Sequence, residues 1–314
     1  MPVRRLFVDA RTFLAIVWAV ALPGACRGND AAAHQHPEAR TRVDSGTRER
    51  PANSDSSWDN SAGPVLLIEG ATRDEALVLL PSQADNGAME SLAKLGEAGA
   101  KVTLFGRGGE RFGAKLGTTP NSDDAQCRLW PLVSGGTDVT RNNWAVGFVG
   151  GLVSPLPLDS VDVLTSRDSA ALAAEASRLA SLVTAPTGSS FQGLRFVAHD
   201  IRRFEVSPGV QGIVAHLFRR VNEEADPQEE QTLLVAERDS GVTAGPYQLA
   251  YAERAHGLEE QVPTPEVIAA IRLAGRPVLI VARDSDTGVA YAILARTGSR
   301  QWRIHWTSSL TRCD

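Results

Sequence analysis

The residues with the most chemical reach lie between positions 199 and 260. His199-Asp200, His216, Glu237, Glu253, His256, Glu259 and Glu260 are the densest run of imidazoles and carboxylates in the chain. Such groups exchange protons near neutral pH and bind metal ions, so their convergence would make an acid–base or metal site. Convergence requires residues 195–256 to fold as one sheet. The set contains neither His-x-His nor His-Glu-x-x-His spacing, so no metal ligand and no cofactor is assigned from it. His216 sits in an apolar run, which favours a hydrogen-bonded, half-buried ring. No residue is assigned a catalytic role. An exported hydrolase using this set stands as one alternative function.

Other patterns carry less. Ser91-Leu92-Ala93-Lys94 resembles the Ser-x-x-Lys motif of penicillin-binding proteins and serine β-lactamases, where one helical turn sets Lys beside the nucleophile. Arg296-Thr297-Gly298 resembles their Lys-Thr-Gly triplet, but it falls at a hairpin turn. Asp284-Ser285-Asp286-Thr287-Gly288 offers carboxylates, yet calcium loops need more oxygen ligands, and a tight turn explains the composition. Gly106 to Gly109 lacks the Lys-Ser/Thr of a phosphate loop. Arg202-Arg203 and Arg219-Arg220 read as solvated strand ends before they read as an anion surface. Trp130, Trp144, Trp302 and Trp306 fit core positions, and a small-molecule domain with a Trp-lined cleft is a second alternative.

The elements that must position these residues are mostly strands. Short apolar runs at 64–69 and 75–80 are separated by turn residues. Runs at 101–105 and 111–116 flank the glycine loop as a hairpin. Residues 127–133 and 143–149 each read as one strand. Residues 213–220, 231–238 and 247–253 form one meander; 277–283, 289–296 and 301–307 form another. In the second, Val289, Tyr291, Ile293 and Ala295 share one face by alternation. The same rule puts Trp302, Ile304 and Trp306 together.

Three helices are expected. Thr165-Ser166-Arg167-Asp168 is a capping-box pattern, followed by Leu172, Ala176, Leu179 and Val183 at helical spacing. Thr264-Pro265-Glu266 opens a second, with Gly275 past its end. A short third is expected near Ala88 to Leu95. The class is therefore α+β, an antiparallel β-rich domain of meanders with two or three helices. A propeller-like all-β fold is the alternative.

Composition bounds the partners. The 314 residues carry 32 basic and 37 acidic side chains, a net charge of −5, which excludes a basic nucleic-acid footprint. Residues 1–25 read as an export segment. Arg4, Arg5 and Arg11 precede an uncharged stretch from Thr12 to Leu22, too short to span a bilayer. Arg4-Arg5 also resembles a twin-arginine signal loosely. Leu22-Pro23-Gly24-Ala25-Cys26 resembles a bacterial lipoprotein box, which implies lipidation of Cys26; Pro23 departs from the usual pattern. Arg27 after that cysteine points to the outer membrane. A soluble secreted or periplasmic protein is the alternative. Residues 26–62 read as a disordered tether with almost nothing to bury, and His34 and His36 belong to it. Residues 63–314 read as one globular domain.

Two cysteines remain in an exported chain once Cys26 is lipidated, so Cys127 and Cys313 are expected to be bonded. The first expectation for function is then a binding or scaffolding module of the cell envelope. Its partners are the membrane, through the lipid anchor, and an unidentified envelope protein or polymer.

Overall fold

The structure, a computed structural model, describes residues 66–313 apart from 71, 73, 80–98, 125, 135–142, 150–152, 184–189, 222–225 and 242–244. Cys26, the expected export segment and tether (residues 1–62), and Ser91 and Lys94 with their expected helix lie outside the described residues.

The first strands close on themselves. They are β1 (Leu66–Glu69), β2 (Glu75–Leu79), β3 (Lys101–Phe105), β4 (Arg111–Leu116), β5 (Ser122–Asp124), β6 (Cys127–Ser134) and β7 (Val146–Val149). The order β2-β1-β7-β3-β4-β6 returns to β2 through antiparallel pairing of β2 with β6, giving a six-stranded barrel; β5 adds to the side of β6. Alternation assigns the faces. Leu67, Val78, Leu104, Leu116, Trp130 and Trp144 fill the barrel, while Leu66, Ile68, Leu77, Phe105 and Phe148 point outward into a second core. The Trp130 indole N–H donates to Gly117 O at 2.7 Å, so the buried ring keeps no orphan donor.

Two open antiparallel sheets follow. Sheet I contains β9 (Asp159–Ser160), β10 (Val197–Ser207), β11 (Val210–Val221), β12 (Gln228–Asp239) and β13 (Gln248–Leu258), ordered β13-β12-β11-β10-β9. Sheet II contains β8 (Val153–Pro155), β14 (Thr264–Leu273), β15 (Arg276–Ser285), β16 (Gly288–Gly298) and β17 (Gln301–Thr307), ordered β17-β16-β15-β14-β8. Helix α1 (Ser166–Leu182) comes between β9 and β10. Thr165 caps it as the sequence pattern requires: its Oγ1 accepts from Asp168 N at 3.3 Å and donates to the Asp168 carboxylate at 2.8 Å.

Four layers result: helix, sheet I, sheet II, barrel. Leu179 and Ala180 pack on Ile213, Leu217 and Leu234 of sheet I. Val214, Leu233 and Val235 on its other face meet Leu279, Val281 and Leu294 of sheet II. Ile271, Ile280 and Ile293 then meet the outside of the barrel. Sheet II is buried on both faces, so β15 is one continuous apolar run with no alternation.

Several expectations are corrected. Thr264 to Leu273 is strand β14, not a helix. Val267 and Ala270 face sheet I while Ile268 and Ile271 face the barrel, and a two-sided apolar strand reads like a helix in sequence. Pro265 is tolerated because β8 pairs only with the far end of β14, from Ile271 to Leu273. Ala274 (φ 49°) and Gly275 (φ 78°) form the hairpin turn to β15, not a helix stop. Among the described residues α1 is the one α-helix. The stacked sheets and closed barrel also replace the propeller alternative.

Val289, Tyr291, Ile293 and Ala295 do share a face. Trp302 and Trp306 do not. A register shift on β17 sends Trp302 toward sheet I and Trp306 toward the barrel, and leaves Ile304 44% exposed. The strand is at the edge of sheet II. Cys127 and Cys313 lie at disulfide distance, with Cα atoms 5.1 Å apart. They join the start of β6 to the chain end, which also bridges Val289 through Thr311 backbone bonds of 2.9 and 2.8 Å.

Candidate functional site

Strands β10 to β13 do form one sheet, and part of the sequence set converges on its inner face. A register shift between Ala198 and Asp200 accompanies His199 as it packs edge-on against His216, with ring centroids 5.0 Å apart. Both rings line a cavity of about 300 Å³ with Asp200, Arg202 and Glu266. Asp200 accepts from Arg202 Nε at 2.8 Å.

His216 belongs to a longer chain of polar contacts. Its Nε2 bonds Gln231 Oε1, and Gln231 Nε2 donates to Glu229. Glu229 also accepts from Arg220 at 2.9 and 2.6 Å, and Arg220 reaches Glu259 at 2.6 Å. Because the Gln231 amide donates to a carboxylate, its oxygen must face His216. The neutral imidazole then carries its proton on Nε2 and leaves Nδ1 as an acceptor. Burial pushes the His216 pKa down, against the hydrogen bond to Gln231, so the ring is kept neutral.

The remaining members of the set belong to other networks. Glu237, fully buried, accepts from Arg296 Nε and Nη2 at 2.8 Å each, Trp302 Nε1 at 2.6 Å and Arg300 N at 3.1 Å. It ties β12 to the far end of sheet II. Glu253 holds Arg283 through two bonds of 3.0 and 2.7 Å and accepts from Tyr251 Oη. Burial raises the Tyr251 pKa, and the Glu253 carboxylate adds to that. His256 lies edge-on to Phe191. Glu260 lines a separate open groove between the barrel and sheet II, with Glu69, Glu266, Asp284 and Asp286.

The other motifs settle as structure. Ser285 bonds Thr287 Oγ1 and Gly288 O at 2.9 Å each, which makes Asp284 to Gly288 a hairpin turn. No group of three metal-suited side chains occurs among the described residues. Gly106 N and Gly109 N close the β3–β4 turn onto Glu110 O and Gly106 O. Arg296 of the Arg-Thr-Gly triplet is Glu237's partner. Trp130, Trp144, Trp302 and Trp306 are all buried.

Arg219 is not a solvated strand end, while Arg220 is exposed near the end of β11 and paired with Glu229 and Glu259. Antiparallel register sets Arg219 opposite Glu230 and Arg220 opposite Glu229, and Arg219 is only 6% exposed. The mirrored pairs Arg219-Arg220 and Glu229-Glu230 around one hairpin were the available signal. On the helix side of sheet I, Arg219 meets Glu230 at 2.8 and 3.1 Å and stacks over Phe196 at 4.6 Å. Arg254 stands 3.3 Å from the same carboxylate. Burial lowers the Arg254 pKa; the Glu230 charge opposes that and the Arg219 charge adds to it. These two guanidiniums close one wall of a groove of about 940 Å³ beneath the C-terminal half of α1.

No family model, no curated protein and no solved structure matches this chain. No helix among the described residues is long and apolar enough to cross a membrane.

Proposed function

We propose that this chain is a binding module of the cell envelope, held at a membrane surface by lipid on Cys26 and acting through the surfaces of its stacked sheets. The observation that carries the non-catalytic half is the locking of the candidate carboxylates. Of that set, Asp200, Glu237, Glu253 and Glu259 each face an arginine at hydrogen-bond distance. A carboxylate so paired is stabilised in its charged form and is poorly placed to shuttle protons. The cell-envelope half rests on the export segment and Cys26. Cys26→Ser should move the protein from the membrane to the soluble fraction. Retention of the Cys26→Ser variant at the membrane would contradict the anchor.

A second reading rests on one observation, the shared cavity of His199, Asp200 and His216. His216 Nδ1 is a neutral acceptor there, as a general base requires. Under this reading the purified protein hydrolyses activated esters and loses that activity in His216→Gln. Equal rates in the two proteins would remove it.

A further inference from the structure

We propose that the groove beneath the C-terminal half of α1 binds a single-chain amphiphile by its oxyanion headgroup, a carboxylate or a phosphate. This inference is independent of the lipid anchor. It starts from charge. Arg178, Arg195, Arg219 and Arg254 line the groove, and the carboxylates paired with them are Glu175 and Glu230. Among the described residues, four guanidiniums against two carboxylates leave positive charge facing a cavity. Glu230 is the sharper case, since one carboxylate serves both Arg219 and Arg254.

The second observation is a concentration of unsatisfied polar atoms. Arg254 has a side chain only 10% exposed. Its Nη2 donates to Ala180 O and Val183 O, capping α1. Its Nε faces the Glu230 carboxylate at 3.3 Å, whereas its Nη1 has no hydrogen-bond partner, and neither has Thr232 Oγ1. Thr232 is fully buried and lies directly opposite Arg254 in the β12–β13 register. Two buried polar atoms without a hydrogen-bond partner therefore fall on one cross-strand pair. Buried donors without acceptors are costly and uncommon, and an acceptor drawn to Arg254 from the groove would relieve that cost. An oxyanion fits, since guanidinium donors match carboxylate and phosphate oxygens in geometry and charge.

The third observation is apolar. Leu182 and Leu194 line the same groove while 61% and 38% exposed. Phe196, pinned under the Arg219 guanidinium, adds a fixed aromatic face. Cation and exposed aliphatic surface side by side suit a headgroup joined to an acyl or alkyl chain.

Calorimetric titration of the full chain with octanoate, octyl phosphate, inorganic phosphate and octyl glucoside tests this. Octanoate or octyl phosphate should bind one to one, with octyl glucoside weaker by about tenfold or more. The tighter of the two anions names the headgroup. Arg254→Met should weaken binding on the order of tenfold. Arg195→Ala changes an exposed side chain, leaves folding intact and should weaken it measurably, so it decides the matter if Arg254→Met fails to fold. Equal affinity for octyl glucoside, no binding of either anion, or unchanged affinity in Arg195→Ala with Arg254→Met unchanged or unfolded would overturn the proposal. Inorganic phosphate bound as tightly as octyl phosphate would overturn the apolar part.

Discussion

Glu237→Ala should cost about 3–5 kcal/mol of folding stability, the range for removing one partner of a buried ion pair. The magnitude follows from what the carboxylate holds. It accepts from the Arg296 guanidinium twice, from the Trp302 indole and from the Arg300 amide, and so fastens β12 to β16 and β17. Alanine leaves all of these donors without an acceptor, at roughly 1–3 kcal/mol for each group that cannot reach water. The Arg296 side chain is 19% exposed and rehydrates in part, which keeps the total within the range. Glu237→Gln retains one acceptor oxygen and should cost about 2 kcal/mol, since charge-assisted bonds exceed neutral ones. Urea unfolding followed by tryptophan fluorescence measures both. The pH dependence is a second check. Burial alone would raise the Glu237 pKa, but the bonds from Arg296 and Trp302 and the Arg296 charge bring it below 4.5. A carboxyl with a lower pKa folded than unfolded stabilises above its unfolded pKa, and that stability is lost as pH falls through the folded pKa. The gap between wild type and Glu237→Gln should therefore be widest near about pH 7 and shrink below about pH 4.5. A Glu237→Ala loss under about 1 kcal/mol, or a gap that does not change with pH, would refute the reasoning.

Replacing Cys127 and Cys313 together by serine should lower stability by about 5 kcal/mol in the chain-entropy model, because the bond spans 186 residues; thermal unfolding of oxidised wild type against the variant checks this. Burial lowers the His216 pKa from 6.5, so the unfolded chain takes up the proton first; stability should decline as pH falls below 6.5, and His216→Gln should flatten that slope in urea titrations. Gly212→Ala should cost about 1–3 kcal/mol by overpacking. Its Cβ would sit 2.7 Å from both Phe204 Cζ and Val206 Cγ2, and the urea midpoint reports the loss.

The meanders were legible because their apolar runs are bounded by turn residues, and β17 matches its expected span from 301 to 307. The cap at Thr165 and the pairing of Cys127 with Cys313 were legible for local and chemical reasons. Barrel closure was not. It depends on β2 reaching β6 across more than fifty residues, and no period in the sequence encodes such a contact. The 264–273 strand misled because burial on both faces removes alternation, while Pro265 and Gly275 imitate helix punctuation. Trp302 and Trp306 misled because a single register shift reverses side-chain parity. Of the His and carboxylate set, His199, Asp200 and His216 share one cavity, since neighbouring strands carry them on one face. Glu237 lies too far along β12 to join them. The groove under α1 was not legible in the sequence because its arginines come from a helix, a loop and two strands.

The most direct test of a tethered binding module is photo-crosslinking in intact cells from Val163, Leu194 and Ile304. These apolar side chains are 78%, 38% and 44% exposed and lie on separate elements. A discrete adduct from at least one position, lost when Cys26→Ser frees the protein from the membrane, is the predicted result. No adduct from any of the three, or the same adduct from the membrane-free variant, would contradict it.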